Sequence, residues 1–450
     1  NEARALSGEN DLYTSLDLDV IKNNLDPELY PNVNWFDEIL KKTSMQQRYY
    51  MSARGGGDVA QYYVSIGGQF EDAAYKQEDV KFKRPVAYNK LTYRANIDMK
   101  LTPKTKMYFG VDGFITTHTL PGFCNKTQLW RTAQMLTPLM FPVKYSDGTL
   151  PTYGTEDMSS PYTNLNYTGY STSNDNKNML TLEVAQEVGG IFKGLRLSAQ
   201  VQSELQTFIN ESRYLRPNQY RATGRDSQGN LIKSIRLSES TVSFGKNSNH
   251  WRKYYLQAKA DWNRTFGDHD LGALLFYFME DVKDGRWSYD NLGINSIPAR
   301  RQNLSGRLSY GFKNTYFVDA NFGYTGSSQF KKGERYGLFP SLALGWVPTG
   351  YEWFQETLPF ISFLKIRGSY GLAGNDKITD TRFPYLTLID NRASSTWGHR
   401  DWGITERTVG ADNLKWEVAK KSNLGVELNF LNDRFKVVAD IFHDQREDIF

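Results

Sequence analysis

Long hydrophobic runs are scarce in this sequence of 450 residues. The longest one covers residues 271–279 and is bracketed by Asp270 and Glu280, whereas a helix that crosses a membrane needs about 20 consecutive apolar residues. A membrane protein built from helices is therefore excluded. Cysteine is scarcer still, because Cys124 is the only one and cannot form an internal disulfide. We expect a hydrogen-bonded sheet to supply the stability instead.

The sequence also lacks an excess of either charge. Lysine and arginine total 54, aspartate and glutamate total 50, and the net charge is +4. Nucleic-acid-binding domains usually carry a clear basic excess, so this near balance argues against a nucleic-acid partner. The first ten residues are polar and lack the basic and apolar segments of a signal peptide. They predict either a signal that has been removed or an internal piece of a longer chain.

The pattern that is present is strand alternation, and it is clearest in residues 335–346 and 362–376. In the first stretch Leu342, Leu344 and Trp346 alternate with serine, alanine and glycine, and the second stretch alternates in the same way. Successive side chains on a strand point to opposite faces, so each strand has one apolar face and one polar or very small face. A soluble protein would bury the apolar face in a core. A membrane barrel would turn it toward lipid and turn the polar face toward a wet lumen.

The same alternation recurs along the chain and predicts an all-β antiparallel sheet of seven hairpins, or fourteen strands. The turn inside each hairpin is a few residues long, and a smaller polar hairpin is predicted within residues 219–244. The connections between hairpins are long and cover residues 74–87, 119–176, 210–249, 281–299 and 377–413. Alternating short and long connections are typical of a transmembrane β-barrel with long extracellular loops. A soluble propeller or sandwich is the alternative architecture.

Aromatic residues are abundant, with 28 tyrosines and 26 phenylalanines in a chain whose mean hydropathy is -0.58. Several of them lie beside the predicted short turns: Trp262, Phe266, Phe312, Tyr316, Trp346, Phe430 and Phe435. Rings in this position are typical of the interfacial girdle of an outer-membrane barrel.

Five segments of the sequence resemble one known family. They cover residues 30–73, 136–154, 335–346, 362–376 and 416–450, and include YPNVNWFDEIL, LTPLMFPVKYSDG, RYGLFPSLALGW, SFLKIRGSYGLAGND and WEVAKKSNLGVELNF. In this order they resemble the SusC-like TonB-dependent transporters (SusC/RagA family) of Gram-negative outer membranes. The resemblance implies a plugged barrel of about 22 strands, of which this chain would supply about 14.

The resemblance also implies a function and partners. The family imports nutrients, usually oligosaccharides or oligopeptides, through a plugged barrel that TonB energises, with a SusD-like surface lipoprotein as a lid. We expect residues 1–45 to form an external loop and residues 46–450 to form barrel strands and loops, with the plug domain, its TonB-contacting segment and the last strands absent. Neither a cofactor nor an enzymatic activity is expected. A passive porin, a soluble all-β glycan-binding protein and a surface glycan hydrolase are the alternatives.

The densest cluster of titratable residues does not indicate a catalytic or metal site. His443, Asp444, Glu447 and Asp448 lie on a predicted strand, where neighbouring residues point to opposite faces and cannot converge on one metal ion. Glycine-rich stretches at residues 55–57 and 371–374 neither open a helix nor carry the lysine and hydroxyl residue of a P-loop. We interpret them as turns.

Aromatic residues in the predicted loops are the candidate contacts for a ligand or a partner, because their rings can stack on sugars or on peptide side chains. The candidates are Trp130, Tyr153, Tyr162, Trp287, Tyr289, Trp397 and Trp402. Packing within the loops is their alternative role. The connections at 119–176, 281–299 and 377–413 are longer than joining two strands requires, so we expect them to carry the lid contacts and the rim of the ligand cavity.

A short helix is predicted within the first of these connections. Leu129, Ala133 and Leu136 share one helical face between Asn125, a possible cap, and Pro138. We expect this helix to pack the long loop onto itself.

Overall fold

Strands dominate the structure, a computed structural model that describes residues 1–122, 126–154, 159–285, 294, 297–377, 382–393 and 403–449. In chain order the strands of these residues are β1 Gln46–Gly56, β2 Ala60–Asp72, β3 Ala87–Thr102, β4 Thr105–Pro121, β5 Leu150–Pro151, β6 Gly169–Val188, β7 Leu195–Tyr214, β8 Gln219–Arg225, β9 Leu231–Leu237, β10 Ser243–Phe266, β11 His269–Asp284, β12 Ala299–Phe312, β13 Tyr316–Ser327, β14 Tyr336–Trp346, β15 Ile361–Asn375, β16 Leu388–Ala393, β17 Gly403–Thr408, β18 Glu417–Phe430 and β19 Phe435–Glu447.

The fourteen long strands follow one another in chain order across a single antiparallel sheet. The five short strands stay outside it: β5, β8 and β9 form a three-stranded sheet, and β16 pairs with β17. Seven consecutive hairpins predict this meander, so the all-β fold and the strand count are both confirmed. The predicted polar hairpin within residues 219–244 is present as β8 and β9, beside the main sheet and not within it.

Cross-strand register gives the sheet one continuous apolar face. Directly opposite residues of neighbouring antiparallel strands share a face. One such row crosses seven strands through Val184, Ala199, Ala258, Tyr277, Leu304, Tyr324 and Leu338. Large apolar side chains stay open on this face, since Leu308 is 65% and Val201 51% exposed. This exposure fits a sheet that lipid covers instead of a protein core.

The opposite, polar face carries paired charges. Arg367 on β15 donates from Nε to Oε1 of Glu427 at 3.0 Å and from Nη2 to Oδ2 of Asp440 at 2.9 Å, so the pairs join three adjacent strands. Gly425 lies beneath the guanidinium, where an added Cβ would come within 2.7 Å of the Arg367 Cζ atom. A buried charge is costly unless it is paired or solvated, so these pairs suit a wall that faces water.

Tight turns close one end of the sheet. Lys313 and Asn314 have φ angles of 50° and 52°, the left-handed conformation of a tight hairpin turn. Aromatic rings border these turns, and those of Phe430 and Phe435 stack with centroids 5.3 Å apart. The other predicted border residues also lie on strands near this end: Trp262, Phe266, Phe312, Tyr316 and Trp346. These rings therefore lie beside the short turns as predicted, and their position at a membrane interface stays a prediction.

One connection at the tight-turn end is longer than predicted. Residues 347–360, between β14 and β15, contain a helix, Glu352–Thr357, on which Phe354 is buried. Tyr351 contacts Tyr316 of the adjacent turn with ring centroids 6.4 Å apart. The strict alternation of short and long connections is therefore wrong at this position, because the apolar side chains of this connection pack back onto the sheet.

Toward the other end, the strands are longer than the alternation predicts. β6 begins at Gly169 and not near residue 181, and β10 begins at Ser243 and not near residue 254. The first residues of β6 are polar, yet their backbone pairs with both β4 and β7. Apolar alternation marks only the part of a strand that has an apolar face, because the ladder itself needs only backbone groups. The predicted connection at 119–176 is correspondingly shorter and covers residues 122–168.

Short helices occupy the connections. In the described residues they are α1 Glu2–Leu6, α2 Ser15–Lys22, α3 Trp35–Ile39, α4 Lys126–Met135, α5 Pro161–Asn166 and α6 Glu352–Thr357. α4 is the predicted helix, and Leu129, Ala133 and Leu136 are buried. Asn125, its predicted cap, lies outside the described residues. Within the described part of the chain, each helix is too short or too polar to cross a membrane.

A charge on the apolar face tests its orientation. Val201→Arg in the full-length protein should destabilise the folded barrel in a bilayer by about 2 to 4 kcal/mol if the residue lies near the midplane. The reason is that the guanidinium would face hydrocarbon. Gln200→Arg, one residue earlier and on the polar face, is the matched control and should cost far less. Urea titration of folding into phosphatidylcholine vesicles measures both. Equal losses would show that the apolar face does not meet lipid.

Candidate ligand and partner surface

The long connections meet at one end of the sheet, because short turns join the strands at the other end. We call this end the loop surface; it comprises the described residues of 1–45, 73–86, 122–168, 215–242 and 376–416. Loops that are longer than their connection requires usually carry function. The loop surface is therefore where a ligand or partner site is expected.

A hydrophobic core joins the N-terminal segment to the first large loop. Trp35 and Ile39 of α3 pack with Leu129 of α4 and Leu165 of α5. The Trp35 ring lies edge-on to Phe141, with centroids 5.4 Å apart. α4 therefore packs against residues 1–45 as well as against its own loop, and these segments form one folded layer over the end of the sheet.

Arg225, the last residue of β8, ties three distant segments together. Its Nε and Nη2 donate to the two carboxylate oxygens of Asp26 at 2.8 Å each, and Nη2 also donates to Oε2 of Glu28 at 2.8 Å. Glu28 Oε1 accepts a hydrogen bond from the backbone amide of Ser146 at 2.8 Å. The hydrogen bond from Arg225 holds the pKa of Asp26 below its usual range. The N-terminal segment is thus fixed to two loops at one charged junction.

A second polar junction surrounds Glu78 in the connection after β2. Its carboxylate accepts hydrogen bonds from the hydroxyls of Tyr162 and Tyr167, and its backbone carbonyl accepts one from Lys83 Nζ at 3.0 Å. Lys83 also donates to Oδ1 of Asn166. Burial lowers the pKa of Lys83 to about 8, and burial together with the bond to Glu78 raises the pKa of Tyr162. The loop surface therefore holds an amine that is partly neutral near pH 8.

A charge network lines the polar face just below the loop surface. Arg301 on β12 binds Asp376 through two hydrogen bonds of 2.8 and 2.9 Å, and Ser327 Oγ donates to the same carboxylate at 2.7 Å. On the neighbouring strands, Lys253 Nζ lies 3.0 Å from Oε2 of Glu280. Cations and carboxylates alternate along this network, and such groups can exchange partners with the hydroxyls, amides or charges of a ligand. The alternation of the sequence places these residues on the polar face. It does not show which of them form ion pairs, because the pairs depend on the register between neighbouring strands.

Trp416 anchors the last long loop to the strands. It packs with Leu414 and with Phe330, whose side chain is fully buried. Its Nε1 donates to the backbone carbonyl of Arg335 at 3.2 Å. Two of the segments that carry the family resemblance, residues 335–346 and 416–450, therefore meet at this contact.

The structure describes three of the seven predicted contact residues. Trp130 is 37% exposed and lies 5.7 Å from the Phe36 ring, and Tyr153 is 49% exposed beneath the Arg221 guanidinium. Tyr162 is only 8% exposed, because it packs within the loop and bonds Glu78. Trp287, Tyr289, Trp397 and Trp402 lie outside the described residues. A contact role for all seven stays a prediction.

The titratable cluster near residue 443 forms cross-strand ion pairs. The carboxylate of Glu447 lies 2.5 Å from Nζ of Lys420, and that of Asp444 lies 3.3 Å from Nζ of Lys421. Both lysines are on β18 and both acids are on β19. Among the described residues, no group of three or more histidine, cysteine, aspartate or glutamate side chains has the arrangement of a metal site.

Comparisons with known proteins agree on one family of receptors, although no family model matches the chain. The chain is 35% identical over 147 residues to the TonB-dependent receptor SusC of Bacteroides thetaiotaomicron, a match that covers 32% of this chain and 14% of SusC. It is 23% identical over 462 residues to the TonB-dependent receptor P3 of Formosa agariphila, covering 93% of this chain and 41% of P3. A solved structure of the RagAB peptide transporter superposes with a TM-score of 0.62 at 18% identity, covering 93% of this chain and 46% of the other. The chain is similar to part of the SusC-like TonB-dependent receptors.

The fourteen-stranded sheet of this SusC-like chain matches a portion of an outer-membrane β-barrel, an architecture in which an apolar face meets lipid. The chain spans less than half the length of the relatives named above. Those relatives are named as receptors and as a transporter. The family, fold class and location that the sequence predicts are confirmed.

The Lys83 amine should titrate near pH 8. Burial disfavours its charged form only in the folded state, since its ordinary pKa is 10.5, so the loop surface should gain stability as the pH rises from about 8 to 10.5. Trace acetylation of the full-length receptor with acetic anhydride at a series of pH values, read by peptide mass spectrometry, measures the titration. Lys81, exposed in the same connection, is the control. A midpoint for Lys83 near its ordinary value of 10.5 would contradict the expectation.

Proposed function

We propose that the full-length receptor actively imports oligosaccharides or oligopeptides across the outer membrane, with TonB as the energy source. The observation that carries this proposal is the match to TonB-dependent receptors over 93% of the chain. The RagAB structure, which superposes on 93% of this chain, is that of a peptide transporter. This similarity supports an oligomeric nutrient such as an oligopeptide. TonB would act through a plug segment of the full-length receptor.

The polar face supports a conduit that carries a hydrophilic ligand. Its charged side chains are paired across strands, as in the Arg367 and Arg301 networks, so a passing ligand meets hydrogen-bonding groups and few isolated charges. Barrels of 16 to 18 strands enclose an open aqueous channel, whereas barrels of about 22 strands hold a plug. A plugged conduit needs an energy source to open it, which favours TonB-dependent import over passive diffusion.

The loop surface supports the docking of a SusD-like lipoprotein lid. It is a folded layer that is held by the core around Trp35 and by the Arg225 junction, and it exposes the rings of Trp130 and Tyr153. Partly exposed aromatic rings on an ordered surface are typical of protein interfaces. We assign the lid contacts and the cavity rim to the loops within 119–176, 281–299 and 377–413.

Dependence on TonB tests the proposed energy source. Uptake of fluorescent oligopeptides and oligosaccharides by cells that express the full-length receptor should fall to background when TonB is deleted, because the plug would stay closed. A small solute that enters through general porins is the control and should be unaffected. Uptake that persists without TonB would identify a passive porin, and turnover of a glycan by the purified receptor would identify a hydrolase.

Removal of the β16–β17 hairpin tests the docking surface. Leu388 and Thr408 are directly paired, so an Asn-Gly turn can replace residues 389–407. The barrel should still fold and remain heat-modifiable in electrophoresis, since the hairpin lies outside the main sheet. Co-purification of the lipoprotein and uptake should both be lost. An epitope inserted after Gly267, at the tight-turn end, is the control; retention of both activities by the shortened receptor would place the lid elsewhere.

A further inference from the structure

A groove on the lipid-facing side of the sheet follows a single cross-strand row. The row crosses five strands through Leu256, Met279, Gln302, Gly326 and Tyr336. These residues form part of the lining of a cavity of about 860 Å³, to which Ile297 and Pro298 contribute before β12 begins. The cavity also reaches Glu280 and Arg301 of the polar face and Phe383 of the last long loop. The Tyr336 ring covers Gly326, where an added Cβ would lie 2.5 Å from the ring, and it stacks on Tyr324 with centroids 5.2 Å apart. The floor of the groove is therefore mostly apolar, with tyrosines along one side.

Three cations lie at the end of this groove that is nearest the loop surface. Arg252 and Lys283 are directly opposite on β10 and β11, and Asp281 and Arg300 are directly opposite on β11 and β12. Their positions in the strands place all four on the same face as Leu256 and Met279. Three cations and one carboxylate leave a net charge of +2 at this position.

Asp281 does not satisfy the hydrogen-bonding capacity of the two arginines. Its Oδ2 accepts from Arg300 Nε at 2.8 Å, whereas its Oδ1 lies 3.8 Å from Arg252 Nη2. The buried Nε of Arg252 donates no hydrogen bond, and the Arg300 side chain is 71% exposed. The Arg252 side chain is 37% exposed, so both guanidinium groups present N–H donors to a further anionic partner.

Within the row of Arg252 and Lys283, positive charge is confined to β10 and β11. The row that contains Lys283 and Arg252 continues across β7, β6 and β4 through Leu205, Asn178 and Gly113, none of which is charged. Toward β14 the apolar face presents Tyr324 and Tyr336. A general affinity for anionic lipid would not need such a local cluster beside a groove.

We propose that this face binds a phosphorylated lipid of the surrounding leaflet, with acyl chain in the groove and phosphate against Arg252, Lys283 and Arg300. The site lies where the apolar band ends below the loop surface, which is the level of the lipid headgroups. Guanidinium groups bind phosphate through paired hydrogen bonds, and each lysine or arginine near a membrane surface strengthens anionic-lipid binding about fivefold. This site is on the outer wall and is independent of the imported ligand.

Native mass spectrometry of the purified full-length receptor in detergent tests the proposal. The probes are lipid A with two phosphates, the same lipid A after enzymatic dephosphorylation, and inorganic phosphate. The wild-type receptor should bind the phosphorylated lipid at least about tenfold more tightly than the dephosphorylated one. Arg252→Gln with Arg300→Gln should abolish this preference. Arg307→Gln, on the polar face of β12, is the matched control and should retain it.

Two further measurements keep the result decisive. Lys283→Gln leaves both contacts of Asp281 intact and should weaken the preference several-fold even if the double variant does not fold, which heat-modifiable electrophoresis reveals. Equal binding of the two lipids, or an unchanged preference in the folded double variant or in the Lys283 variant, would overturn the proposal. Displacement of the lipid by an equal concentration of inorganic phosphate would also overturn it, because the site would then recognise a free anion and not a lipid.

Discussion

The two-residue period of the hydrogen-bonded strand is the constraint on which the rest of this structure depends. Once β14 and β15 pair with Leu342 opposite Tyr370, every side chain in both strands is assigned to lipid or to lumen, and a slip by one residue would exchange the two sets. If β15 slipped in this way against an unchanged β14, Arg367 would face hydrocarbon and Tyr370 would face water. Each additional strand is aligned against its neighbour in the same way, so register is specified repeatedly across the sheet.

This constraint explains which parts of the fold could be predicted from the sequence. Wherever a strand has lipid on one side and water on the other, its composition alternates, and residues 91–101 or 195–204 show their strand character without any structural information. The signal disappears where both faces meet water. The first residues of β6 and of β10 form ordinary antiparallel pairs, but most of their side chains are polar on both faces. The sequence pattern therefore places the ends of these strands too close to the membrane.

The candidate site could not be predicted in the same way, because its contacts join residues that no local pattern relates. Arg225 and Asp26 are 199 residues apart, and Lys83 and Asn166 are 83 apart, so only the folded loops bring them together. Aromatic composition did mark Trp130 and Tyr153 as loop residues with exposed rings, but it could not separate them from Tyr162, which is equally aromatic and buried. Packing of a loop onto itself and recognition of a partner use the same residue types. The network around Arg301 and Asp376 was missed for a different reason, since polar-face residues alternate along every strand and their pairing depends on register.

Small residues on the polar face have a role that composition alone does not show. Gly425 leaves space for the guanidinium of Arg367 to lie flat against the wall, where it reaches carboxylates on two neighbouring strands. A side chain at this position would lift the guanidinium toward the lumen and lengthen one or both of its contacts, leaving a charge that the ligand would have to neutralise or avoid. A wall that keeps its charges paired close to the backbone is better suited to the passage of varied hydrophilic ligands, because it offers hydrogen bonds without a strong fixed field of one sign. The same backbone ladder that separates lipid from water thus also determines how strongly the lumen can hold what passes through it.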